Sequence, residues 1–144
     1  MIRKATREQL PQLVSLALAL WPDNDPSEYA SELEEMIARK DAAFFLAWED
    51  TRAVGFAQCQ LRRDYVEGTE SSPVGYLEGI FVDEEYRCKG IARELLAVCE
   101  EWAKAMGCNE FASDCELDNT QSLRFHMAVG FTEANRVICF TKKL

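Results

Sequence analysis

The stretch that most constrains this chain runs from Tyr76 to Ala92, Tyr-Leu-Glu-Gly-Ile-Phe-Val-Asp-Glu-Glu-Tyr-Arg-Cys-Lys-Gly-Ile-Ala. Its first half is an apolar, β-prone run ending at Val82. A short charged turn follows, and Arg87-Cys-Lys-Gly-Ile-Ala92 then leads into a long amphipathic helix pattern. A strand that passes through a small-residue loop into a helix N-terminus makes a pocket suited to phosphate. The unpaired N–H groups of the first helical turn converge there, and the helix dipole favours an anion. Gly90 lets backbone come close to a ligand, and Ala92 keeps the next turn free of bulk. The same residues also fit an ordinary strand–loop–helix connection with Gly90 as its turn residue. The rest of the chain decides between the two.

The stripe at 91, 95, 98, 99, 102 and 106 predicts a helix from about Lys89 to Met106, closed by Gly107. Upstream, Ile2 to Ala5 reads as a short strand, and Thr6-Arg7-Glu8-Gln9 as a capping box for a helix that Pro22 stops. Asp25-Pro26-Ser27-Glu28 opens a second helix. Ala42 to Glu49 and Ala53 to Arg63 form a hairpin about Asp50-Thr51-Arg52, and a polar loop runs from Asp64 to Pro73. Glu110 to Cys115 is a further strand, Asp118-Asn119 cap a helix through about Val129, and Val137 to Thr141 is expected as the last strand. The order β-α-α-β-β-β-α-β-α-β describes an α/β chain with a mixed sheet and helices on both faces. With 144 residues and no linker or repeat, residues 1–144 are expected to be a single domain.

Composition narrows the function. The net charge of −9 disfavours nucleic acid and anionic membrane and favours polycations. From Asp23 to Glu35 there are six carboxylates and no Lys or Arg, a solvated helix face or one wall of a cation site. Six cysteines include no C-x-x-C pair, and with one histidine no Cys/His metal site is expected. Cysteines placed in strands and on apolar helix faces pack as small hydrophobes and suit a reducing compartment. Arg3, Lys4 and the apolar run Leu13 to Trp21 imitate a signal peptide. Glu8, Gln9, Gln12 and Ser15 place polar groups before and within it at helical spacing, and the run is too short to span a bilayer, so a cytoplasmic, uncleaved N-terminus is expected.

Three features stand in a fixed order: Arg87-x-x-Gly90-x-Ala92, the strand Glu110 to Cys115, and Asn119-x-x-Ser122-x-x-x-His126-x-x-x-Gly130-Phe131. This ordered set resembles the GNAT superfamily of acyl-CoA N-acyltransferases; the Gly-x-Gly-x-x-Gly dinucleotide fingerprint is absent. Leu20-Trp21-Pro22, Asp64-Tyr65-Val66, Ser71-Ser72-Pro73-Val74, Leu77 to Val82 and Ala112-Ser113-Asp114 resemble, more narrowly, the aminoglycoside 6′-N-acetyltransferases. Those are resistance enzymes that acetylate the 6′-amine of antibiotics such as kanamycin and tobramycin.

The resemblance implies a GNAT fold with a mostly antiparallel sheet and a splayed central strand pair. It implies acetyl-CoA as cosubstrate, a polycationic aminoglycoside as acceptor and a homodimer. Backbone groups of Ile80, Phe81 and Val82 would pair with the pantetheine arm, one N–H near Val82 receiving the acetyl oxygen. The amides of Arg87, Cys88, Lys89, Gly90, Ile91 and Ala92 would hold the pyrophosphate. Asn119 would contact pantetheine, cap its helix, or do both. Glu78 would take the amine's proton or hold the ammonium in place, with Asp114 on the facing strand as the second carboxylate. Trp21 and Tyr65 would offer faces to sugar rings and cations, although Trp21 also fits the end of a core helix and Tyr65 a loop anchor. Asn135 would lie at the substrate rim. His126 stands where many superfamily members have a tyrosine that protonates the departing thiolate, and an imidazole can serve there as general acid. Cys88 resembles a reactive thiol at a helix N-terminus, but the amine is itself the nucleophile and the expected reaction is direct transfer. Two rivals remain: a GNAT enzyme acetylating another amine, such as a polyamine or a protein N-terminus, and a non-catalytic module that binds acetyl-CoA.

Overall fold

A computed structural model describes all 144 residues. Five strands form one sheet in the order β1-β2-β3-β4-β5. They are β1 (Ile2–Lys4), β2 (Ala42–Glu49), β3 (Arg52–Arg62), β4 (Val74–Val82) and β5 (Phe111–Ser113). The first four pair antiparallel, and β4 pairs with β5 in parallel. The helices are α1 (Leu10–Leu20), α2 (Pro26–Ile37), α3 (Ile91–Ala105) and α4 (Thr120–Ala128). None is long and apolar enough to cross a membrane.

Strand alternation divides the core between two faces. Ala43, Phe45, Ala57, Cys59 and Leu77 point to one side and pack under Leu95, Leu96 and Cys99 of α3. Phe44, Leu46 and Phe56 point to the other and meet Leu13, Leu16 and Ala17 of α1 and Leu33 of α2. Local chemistry starts the helices where the sequence predicts. Gln9 accepts the Thr6 N–H at 3.0 Å, although this box opens a single 3-10 turn before α1. Asp25 caps α2 by accepting from the N–H groups of Ser27 and Glu28.

Two irregularities of β4 open space along the strand. Gln58 of β3 pairs with Gly79 and Cys59 with Leu77, so Glu78 is the extra residue of a β-bulge. The ladder between β4 and β5 spans only Gly75–Leu77 and Phe111–Ser113. Beyond Leu77 the second edge of β4 is therefore open, and β4 and β5 part there as the expected splayed pair, although this pair lies at the edge of the sheet and not at its centre.

The expected last strand is not formed. Residues 132–144 have no regular secondary structure and are exposed, with Val137, Ile138 and Phe140 at 69%, 83% and 87%. The run Val137-Ile-Cys-Phe-Thr141 is apolar and β-prone, but β5 is the edge strand of the sheet and receives no partner from this segment. The tail touches the Asp64–Pro73 loop, where Asn135 Nδ2 donates to Glu67 at 3.1 Å.

Candidate active site

The open edge of β4 forms one wall of a groove of about 450 Å³. Ile80, Phe81 and Val82 line that wall, Arg87, Cys88, Gly90, Ile91 and Ala92 close one end, and Asn119 and Ser122 of the α4 N-terminus face them. The loop is shaped for close approach. Gly90 is the N-cap of α3 at φ 86°, and Cys88 also has positive φ, at 61°. A side chain at Gly90 would meet nothing within 4 Å, so glycine is required there by backbone conformation rather than by space. The first-turn N–H groups of α3 have no intrahelical acceptor and face this end of the groove. Arg87 turns back instead, its Nε donating to the Val82 carbonyl at 2.8 Å and its guanidinium lying 5.5 Å from the Phe81 ring. Lys89 is not among the lining residues; its ammonium lies over the Tyr86 ring. Asn119 caps α4 by accepting from Ser122 N–H at 3.1 Å and also lines the groove, so both expectations for it are compatible.

A second, shallower depression of about 230 Å³ lies on the α1/α2 side of the sheet, bounded by Trp21, Asn24, Tyr29, Met36, Gln58 and Glu78. Trp21 follows the last residue of α1 and stands over Gly79, where an added Cβ would lie 2.5 Å from Cζ2 of the indole. Edge contacts to Phe56 and Tyr29 hold the ring, so Trp21 ends a core helix and walls the depression at once. Tyr29 is buried enough that its phenol is pushed up to about 12, with Glu32 adding to the effect.

Glu78 is held by a side chain that no sequence motif marks. Arg62 of β3 donates from Nε and Nη2 to Oε1 at 3.0 and 2.9 Å, and from Nη2 to Oε2 at 2.9 Å. Burial raises the Glu78 carboxyl above its ordinary value, while Arg62 pulls it the other way. The same guanidinium lies 3.4 Å over the Tyr76 ring, and the Tyr76 hydroxyl donates to Asp114. Burial first, and then Asp114, raises the Tyr76 phenol. A signal for this set was present: Gln58, Gln60 and Arg62 alternate with Ala57, Cys59 and Leu61, marking one polar face of β3.

His126 lies outside both depressions, among Phe125 and Phe131. Its partners assign the tautomer. Nδ1 sits 2.7 Å from the Ser122 carbonyl, an acceptor only, and so carries the proton. Nε2 then accepts from the Ser113 hydroxyl at 2.8 Å in the neutral ring. His126 reaches the groove through Ser122, which lines it. Tyr65 is 77% exposed on its loop and Asn135 lies on the C-terminal tail; neither lines the two depressions.

Comparison with known proteins agrees with this geometry. Residues 10–131 match the family described as Acetyltransferase (GNAT) family. The aminoglycoside N(6′)-acetyltransferase type 1 of Serratia marcescens is 42% identical, covering 100% of this chain and 99% of its own length. The enzyme of the same name from Stenotrophomonas maltophilia is 44% identical, with 99% and 93% covered. Among solved structures, AAC(6′)-Iy in complex with the bisubstrate analogue CoA-S-monomethyl-acetylneamine superposes with a TM-score of 0.96 at 39% identity, covering 100% of this chain and 98% of that one. AAC(6′)-Ih from Acinetobacter baumannii gives 0.94 at 41% identity, with the same coverage. The chain belongs to the GNAT acetyltransferase family, and within it is similar over its full length to the aminoglycoside 6′-N-acetyltransferases.

Proposed function

We propose that this protein transfers the acetyl group of acetyl-CoA to the 6′-amine of aminoglycoside antibiotics, by direct attack within a ternary complex, and so confers resistance. One observation carries the reading. Glu78, the bulge residue of β4, opens onto the depression beneath Trp21, while Ile80 to Val82 of the same strand line the groove that ends at the α3 N-terminus. A single segment thus lies between a pocket for a cationic amine and a cleft for an extended, phosphate-bearing cosubstrate.

In this reaction the ammonium bound beside Glu78 gives one proton to that carboxylate, directly or through water. The freed lone pair attacks the thioester carbonyl, and the nitrogen's second proton leaves as the amide forms and ends on the departing sulfur. Open backbone of residues 80–82 receives the pantetheine and the oxyanion. The C–S bond then breaks to give the acetamide and the CoA thiolate. The α3 N-terminus and the loop from Arg87 to Ala92 hold the pyrophosphate. Asp114 supplies a second carboxylate for the substrate's other ammonium groups, with Tyr65 and Asn135 at the rim. His126, as an imidazolium, returns a proton to the thiolate through the hydroxyl of Ser122, which lies 3.3 Å from Nδ1 on a residue that lines the groove. The formal charge of −9 favours a polycationic acceptor, and the protein acts in the cytoplasm, where acetyl-CoA is available.

The protein works as a homodimer in this proposal. The exposed, β-prone segment Val137–Thr141 and the short edge strand β5 favour pairing between copies. Light scattering on the purified protein should give twice the chain mass.

The deciding experiment measures CoA thiol release with aminoglycosides bearing a 6′-amine and with their 6′-hydroxy counterparts. Turnover only of the amines supports the proposal. Fast turnover of spermidine with none of kanamycin would instead establish a different amine as substrate.

A further inference from the structure

Arg62 does not itself line the acceptor depression, but it is the basic side chain bound to Glu78, which does. Its environment differs from that of a surface ion pair. Three short N···O contacts engage both oxygens of Glu78, and the guanidinium plane rests on the Tyr76 ring. Tyr76 in turn donates to Asp114. The four side chains run Glu78, Arg62, Tyr76, Asp114 along one face of the sheet, drawn from β3, from β4 and from the residue just past β5. Glu78 is otherwise faced by Gln60 of β3, which hydrogen-bonds it, by the charge of Asp114, and by Gln58 and Tyr29 of α2 across the depression.

This row solves a problem that the bulge creates. A carboxylate placed in a partly buried depression without a partner takes up a proton and ceases to be a base or an ammonium site. A guanidinium that filled all of its acceptor capacity would exclude the substrate. The Arg62 fork engages Oε1 twice and Oε2 once, through an Nη2 shared between the two oxygens, so Oε2 keeps acceptor capacity for an ammonium hydrogen. The fork also limits rotation of the carboxylate, and the Tyr76 ring limits movement of the fork.

We propose that Arg62 is a positioning residue for acetyl transfer, which keeps Glu78 ionised and aimed at the acceptor amine and, through Tyr76, sets the spacing between Glu78 and Asp114 as two ammonium sites. This rests on the acetyltransferase function proposed above. It adds a cation to a site otherwise described by its acids.

The test separates charge from geometry. In Arg62→Met, the acid limb of the pH profile of kcat/KM moves up by about one pH unit, because burial of Glu78 is no longer opposed. In Arg62→Lys, which keeps the charge but not the fork, the limb stays near that of the parent while kcat falls about tenfold. The 13C carboxyl resonance of Glu78, assigned by its loss in Glu78→Gln, is titrated in the free protein and needs no turnover. Its midpoint rises by about one unit in Arg62→Met. If the methionine variant does not fold, Arg62→Gln, which also removes the charge, is read in the same way. An unmoved limb and an unmoved Glu78 midpoint in a folded, charge-deleted variant overturn the proposal. Absence of aminoglycoside turnover by the parent protein would overturn the proposed function, and the carboxyl titration would still decide whether Arg62 keeps Glu78 ionised.

Discussion

Replacing Gly79 with alanine tests whether the floor of the acceptor depression is packed as described. The added methyl carbon would lie 2.5 Å from Cζ2 of Trp21 and 3.2 Å from Cδ2 of Leu20. Leu20 can shift by a few tenths of an ångström, but the indole cannot easily retreat. The Phe56 ring lies 5.9 Å from it and the Tyr29 ring 6.3 Å, and Phe56 is fully buried. The ring must therefore move outward, into the space an acceptor sugar would take. Forcing one carbon into packed surroundings costs about 1–3 kcal/mol. For a chain of this size each kcal/mol lowers Tm by about 3 °C, so a drop of roughly 3–10 °C is expected in thermal unfolding followed by circular dichroism. Steady-state kinetics should show KM for the aminoglycoside raised about tenfold, a loss near 1.4 kcal/mol, with KM for acetyl-CoA little changed. Gly75→Ala is the control, since its methyl would lie 2.6 Å from the Ala103 Cβ and from Phe111, away from Trp21. It should lower Tm comparably and leave the aminoglycoside KM alone. An unchanged aminoglycoside KM in a destabilised Gly79→Ala protein would refute Trp21 as a wall of the acceptor site.

Glu78→Gln should lower kcat/KM about 10²- to 10⁴-fold, the usual range for a lost general base, and most of all just above the acid limb, where Glu78 is ionised and little of the amine is already neutral. The acid limb of the parent protein should lie above the ordinary carboxylate range, because burial raises this carboxyl: it binds its proton, and activity is lost, at a higher pH than an exposed glutamate would require. An unaltered pH profile in the variant would remove Glu78 from the role of base. Cys88→Ala should retain turnover within a few-fold, since its thiol is no nucleophile in direct transfer, and abolition would require a covalent intermediate. Asp25→Ala removes the acceptor for the Ser27 and Glu28 N–H groups and should cost about 1 kcal/mol in chemical denaturation with kinetics intact.

Elements with local signals were legible in the sequence. The Asp25 cap, the α3 stripe and the alternation of β2 and β3 each depend on neighbours within a few residues, and each element stands within a residue or two of its expected bounds. Long-range arrangements were not. The Val137–Thr141 run is β-prone, but β propensity says nothing of which edge a strand pairs with, and in this chain it pairs with none. Arg62 escaped notice because its meaning lies in a partner 16 residues away across a ladder whose register shifts between them. The position of Glu78 was legible from its strand, but its orientation was not, since a bulge has no reliable local signature. His126 was marked because it is the only histidine, and its bonds to Ser113 and to the Ser122 carbonyl could be known only once β5 and α4 were docked.

The extra residue in β4 also acts as a phase shifter. Before it, Leu77 points toward α3 and Tyr76 away; after it, Gly79 and Phe81 point toward α1 while Ile80 and Val82 point toward α3. Glu78 and Gly79 thus face the same side in succession, which regular alternation forbids. A chain shortened by that single residue would regain an unbroken ladder with both core faces still correctly filled by their own side chains. Its sheet would be more regular, and the carboxylate proposed to receive the amine would be gone. Measured by stability alone such a deletion would pass as an improvement, and its cost would show only in turnover.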